Sequence, residues 1–154
     1  MMTTSSPSRQ RGAAAIEFAL LMLPLSILTF GVTEAGRAVY QYNTIAKSVR
    51  DAARYQTNMT PGNTLAARCV AVTGSPAISG SGCAGTPLLT GLTLAQTTVC
   101  DRLTCADHNL QPTGSGVVNL VSVTVTGYAF TSMVPFAMPT IAFGPIRVTM
   151  GQSV

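Results

Sequence analysis

Two groups of residues in this chain carry side chains that could do chemistry. The first is Cys69, Cys83, Cys100 and Cys105, with Asp101, Asp107 and the single histidine, His108. The second is one carboxylate, Glu17, alone in an apolar run. An even number of cysteines matches two disulfides in an oxidising compartment. Three pairings exist and the sequence does not choose among them; loop closure favours Cys100–Cys105 on proximity, leaving Cys69–Cys83. Each bridge would contribute about 2–4 kcal/mol to a small, loop-rich domain. Cys100, Cys105, Asp107 and His108 also read as metal ligands, but their spacing matches no familiar zinc signature, and oxidation would consume the thiols. His108 with Asp101 or Asp107 and a serine would suit a hydrolase, yet there is no G-x-S-x-G elbow and no glycine-rich phosphate loop before a helix. The expectation is therefore no enzyme, no metal or other cofactor, and no small-molecule substrate.

Glu17 points elsewhere. From Ala13 to Thr33 there are 21 residues, and Glu17 is their only charge. A helix of that length rises about 30 Å, the thickness of a bilayer's hydrocarbon core. A carboxylate in lipid costs about 2.5–3.5 kcal/mol at mid-depth, less near the end, so such a group needs a partner. The simplest partner is a positive amine on another copy or on a neighbouring subunit.

The surrounding text, "RGAAAIEFALLMLPL" followed by "EAGRAVYQYNTIAKSVRDAARY", resembles the TadE-like minor pseudopilins of tight-adherence (Tad, Flp-type) pilus systems. The resemblance is specific over residues 11–55 and one of pattern over 56–154, with a TadF-like sibling as the neighbouring alternative. It implies a type IV prepilin processing site, in which a peptidase cuts a short basic leader after glycine and the fifth mature residue is glutamate. Gly12 and Ala13 would be the scissile pair and Glu17 the assembly carboxylate. The implied partners are a prepilin peptidase, other pseudopilins, the Tad secretion machinery and the inner membrane.

Composition agrees with an envelope protein. Hydrophobic residues make up 47% and charged residues 9%, so the last hundred residues must be solvated largely by uncharged polar groups. The net charge of +4 is not a dense basic patch with interleaved aromatics, and nucleic acid is not expected as a partner. Arg9 and Arg11 flank the span and place this end in the cytoplasm, the rest outside it. A secretory signal peptide fits worse, because the apolar run exceeds about 7–15 residues and Glu17 would open its hydrophobic region.

The expected divisions are a basic, cleaved leader over 1–12, a transmembrane helix over 13–36, an extracytoplasmic continuation over 37–57, and a small periplasmic domain over 58–154. The fold class is α+β, a long N-terminal transmembrane helix extending into a small antiparallel β-sheet domain, pilin-like. Pro24 should free the carbonyl of Leu20 and kink the span. Gly31, Ala35, Ala38, Tyr42, Ile45, Val49 and Ala52 form a 3.5-residue stripe opposite Arg37, Lys47, Arg50, Asp51 and Arg54. That stripe packs on the chain's own domain, on other subunits, or on both. Glu34 and Arg37 are spaced as an i,i+3 ion pair. Thr60-Pro61 reads as a helix start, with Leu65, Ala66, Cys69 and Val70 buried and an end before Gly74; a strand over 68–73 competes. Residues 74–96 read as loop. Val117–Phe130 reads as a strand with Val121, Val123 and Val125 buried and Ser122, Thr124 and Thr126 wet. Residues 131–140 are expected to be a connection packed over the core, and Ile146, Val148 and Met150 to close the sheet.

A structural protein of pilus biogenesis is thus the leading expectation. The alternative is an uncleaved single-span envelope protein whose periplasmic domain binds a ligand or surface, with its weight in the 74–116 loop region.

Overall fold

The computed structural model describes residues 8–152, with side chains from Gly12 onward, so most of the expected leader lies outside the described residues. Helix α1 runs from Ser8 to Thr57, 50 residues, and includes Pro24 without a break in the assignment. It is long and apolar enough to cross a membrane, and its apolar window is uncovered. Helix α2 follows at Leu65–Thr73. The strands are β1 (Ile78–Ser79), β2 (Gly82–Cys83), β3 (Thr97–Cys100), β4 (Gln111–Thr113), β5 (Gly116–Val125), β6 (Ala129–Phe130), β7 (Ile141–Ala142) and β8 (Ile146–Gln152). All pairings are antiparallel, and the class is α+β.

Contacts divide the chain into two units. One holds α1 as far as Arg37 together with Ser132–Pro139; the other holds Ala38–Thr131 and Thr140 onward. In the second unit β5 is the central strand. Its residues 122–125 pair with β3 on one edge and 119–125 with β8 on the other, so Val123 lies between Val99 and Val148. Ile45, Val49, Ala52 and Ala53 of α1 meet Val99, Val123, Val125 and Ile146 in one core, with Ala67, Val70 and Ala71 of α2. The stripe read from the sequence therefore packs on the chain's own domain from Ile45 onward, while Tyr42 remains partly exposed. Arg50, Asp51 and Arg54 face outward, as a solvated helix face requires.

Several elements differ from expectation for identifiable reasons. Helix α2 starts at Leu65 and not at Thr60-Pro61, because Gly62 adopts φ +87° and gives its N–H to Asp101. It ends as expected, on Gly74 at φ +75°. The long strand stops at Val125, since Gly127 at φ +72° turns the chain and Ala129–Phe130 pairs separately with Ile141–Ala142. Ser122 is buried, not wet, because the turn around His108 covers its face of the sheet. Residues 131–140 do not pack over the core: Met133 is 76% and Phe136 75% exposed.

The core makes a direct prediction. Ile45→Ala removes a fully buried side chain of α1 and should lower the stability of the second unit by about 2–5 kcal/mol. Denaturant unfolding of the detergent-solubilised chain, followed by near-ultraviolet tyrosine dichroism, measures that loss.

Candidate functional site

Gly12 and Ala13 lie within α1, on an exposed stretch. A Cβ built on Gly12 meets nothing within 4 Å. Glycine inside a helix costs about 1 kcal/mol relative to alanine, and no described contact asks for it. The apolar run beyond contains four polar side chains. Three are satisfied by the helix itself: Ser26 Oγ donates to the carbonyl of Met22 at 2.7 Å, Thr29 Oγ1 to Leu25 at 2.8 Å and Thr33 Oγ1 to Thr29 at 2.9 Å. Glu17, the fourth, is exposed and has no hydrogen bond or ion pair among the described residues.

Glu34 is the opposite case, only 3% exposed. Its Oε1 accepts from Arg37 Nη1 at 2.7 Å, the i,i+3 pair expected from the spacing. Its Oε2 accepts the backbone N–H of Met133 at 3.0 Å, a contact no local pattern announces. The N–H of Val134 donates to Ser132 Oγ at 3.0 Å, which tightens the turn so gripped. Phe136 then meets Phe30 edge to face, ring centroids 6.4 Å apart.

The cysteines pair as Cys69–Cys83 and Cys100–Cys105, with Cα separations of 5.2 Å and 5.4 Å. The first joins α2 to β2; the second closes the turn after β3. Asp101, fully buried within that turn, gathers the end of the domain helix and two loops. Its Oδ2 accepts from Gly62 N–H at 2.6 Å and stands 3.5 Å from Gln56 Nε2, while its Oδ1 accepts from Leu103 N–H, Thr104 N–H and Thr104 Oγ1, each at 3.0 Å. Burial pushes this carboxyl upward, but the hydrogen bonds from Gly62, Thr104 and Leu103 outweigh it and hold it below the ordinary carboxylate range.

Next to this turn the structure assembles a relay. Asp107 Oδ1 lies 2.9 Å from His108 Nδ1, and His108 Nε2 lies 2.8 Å from Ser122 Oγ. The hydrogen bond to His108 holds the Asp107 carboxyl below its usual range. Arg147 Nη2 lies 3.2 Å from Ser122 Oγ and 3.3 Å from His108 Nε2. These distances suit a Ser-His-Asp relay. The hydroxyl, however, is on the central strand with the residue 2% exposed, and the guanidinium already occupies it. These contacts tie the Asp107–His108 turn to the sheet. Cys105, Asp107 and His108 also place ligand atoms within 4.8 Å of one another, but the sulfur is committed to its disulfide. Ser122 and Arg147 escaped sequence reasoning, because they join His108 only through cross-strand register.

The described residues thus define a class: a single long apolar helix followed by a small disulfide-bonded α+β domain. Residues 12–54 match the family model for TadE-like proteins, the stretch on which the resemblance was read. No curated protein and no solved structure matches the chain.

Asp101 yields a pH prediction. Its native pKa is depressed, so its stabilising contribution is complete above the unfolded value and is lost as pH falls from about 4 through the native value. Asp101→Asn turns an amide toward the Gly62 N–H and should cost about 2–3 kcal/mol at neutral pH. The variant should also lose the part of the acid limb due to this group, as read from thermal melts between neutral and acidic pH.

Proposed function

We propose that this protein is a TadE-like minor pseudopilin that takes part in building a tight-adherence pilus. It is held in the bacterial inner membrane by α1, with its N-terminus cytoplasmic and its disulfide-bonded domain periplasmic. A prepilin peptidase removes the leader after Gly12. One observation carries the reading: among the described residues, every polar side chain of the apolar run is satisfied within the helix except Glu17.

The chemistry follows from that exception. An unpaired carboxylate facing lipid is unstable relative to one beside a cation. Cleavage between Gly12 and Ala13 creates a new α-amine, positively charged at neutral pH, about one helical turn from Glu17. On its own chain that amine is the ragged first residue of the helix. On an adjacent chain displaced along the axis it can meet Glu17 directly, which neutralises both charges and fixes the stagger between subunits. Glycine at position 12 costs helix stability without serving any described contact, which is consistent with a requirement set by the peptidase.

Two substitutions separate the steps. Gly12→Trp should leave the leader attached, visible as an unshifted band in cells that contain the peptidase. Glu17→Ala should be processed normally yet assemble few pili. Normal processing of the first variant would remove the cleavage assignment, and a normal pilus count with the second would remove the assembly role.

A further inference from the structure

The segment Ser132–Pro139 has no part in the charge-pairing scheme, yet it exposes large apolar side chains. No charged residue occurs between His108 and Arg147. Met133 and Phe136 project with three quarters of their surface uncovered, where a water-facing loop would carry polar groups. Pro135 and Pro139 bar the segment from a regular central strand.

Its position along α1 gives this exposure a meaning. Glu34 grips the N–H of Met133, which fixes the start of the loop at one level of the helix. From that level the loop runs toward the apolar run. Phe136 reaches Phe30, about 6 Å closer to the N-terminus along the axis. It also lines, with Ala19, Met22, Leu23, Ser26 and Ile27, a groove of about 590 Å³. Those helix residues lie about 10–22 Å on the apolar side of Glu34. The loop is therefore level with residues that a membrane-crossing α1 places in hydrocarbon.

We infer that Ser132–Pro139 is a membrane-inserting loop, which buries Met133 and Phe136 among the acyl chains of the periplasmic leaflet and seats an acyl chain in the groove between Phe136 and α1. This rests on the reading that α1 crosses the bilayer. The occupant is lipid because the surface is continuous with the spanning helix and carries no charge for a protein partner to match. Glu34 and Arg37 mark the level at which polar groups return, and the backbone N–H of Met133 enters lipid with its partner already supplied.

The chain contains no tryptophan, so a single introduced one is an unambiguous reporter. The full chain would be placed in phosphatidylcholine–phosphatidylglycerol vesicles carrying bromine on the acyl chains, as three variants: Phe136→Trp, Leu23→Trp within the span, and Leu103→Trp on the exposed surface of the disulfide-bonded domain. The expected result is blue-shifted emission and acyl-bromine quenching for Phe136→Trp comparable to that of Leu23→Trp, with neither for Leu103→Trp. Quenching of Leu23→Trp alone would overturn the loop insertion while leaving the span intact. An unquenched Leu23→Trp would overturn the span, and the inference with it. Emission of Phe136→Trp that shifts only as protein-to-lipid ratio rises, without bromine quenching, would assign the loop to a second copy of the chain and overturn the lipid assignment.

Discussion

In a hydrocarbon medium no water is available to rescue an unpaired polar group, and the polar side chains of α1 up to Glu34 are arranged as that constraint would require. Ser26, Thr29 and Thr33 obey it by donating to carbonyls one turn back. Glu34 obeys it with an arginine and a backbone N–H. Of these side chains Glu17 alone has no such partner among the described residues. In the proposed scheme its cost while unpaired would become a driving force for assembly once an amine stands beside it.

The same helix serves two environments, and its composition changes accordingly. Up to Thr33 its surface is apolar all round, as a lipid-facing segment requires. From Ile45 its apolar residues narrow to one side, where Ile45, Val49 and Ala52 are buried in the sheet's core. The core itself is made mostly of small and β-branched residues, with Leu89, Leu92 and Tyr128 as its larger members, and Phe130 is fully buried as well. Two disulfides and the Asp101 hydrogen bonds brace the long loops that such a modest core cannot order alone. Tyr128 adds a further tie, its hydroxyl 3.0 Å from Gln41 Oε1 and its pKa raised by burial.

What the sequence made legible was periodic or local. The uninterrupted apolar run, the stripe from Ile45 to Ala52, the Glu34–Arg37 spacing, the alternation of Val121, Val123 and Val125 and the glycine at the end of α2 each follow from neighbours a few positions apart. What it hid depends on distant partners. Thr97–Cys100 has only four residues and no clear alternation, so β3 emerges only through its pairing with β5. The burial of Ser122 depends on His108, fourteen positions away, and the grip of Glu34 on Met133 spans ninety-nine. The exposure of Phe136 runs against the usual rule that aromatic residues pack inward. Gly12 and Glu17 were legible for the opposite reason: no contact among the described residues accounts for either.

The most direct measurement is the intact mass and N-terminal sequence of the protein purified from membranes of cells with and without the prepilin peptidase. Charge pairing at Glu17 requires a chain that begins at Ala13 when the peptidase is present and retains Arg11 when it is absent. A chain retaining Arg11 in both would contradict it, leaving no new amine to meet the carboxylate and α1 as a plain anchor.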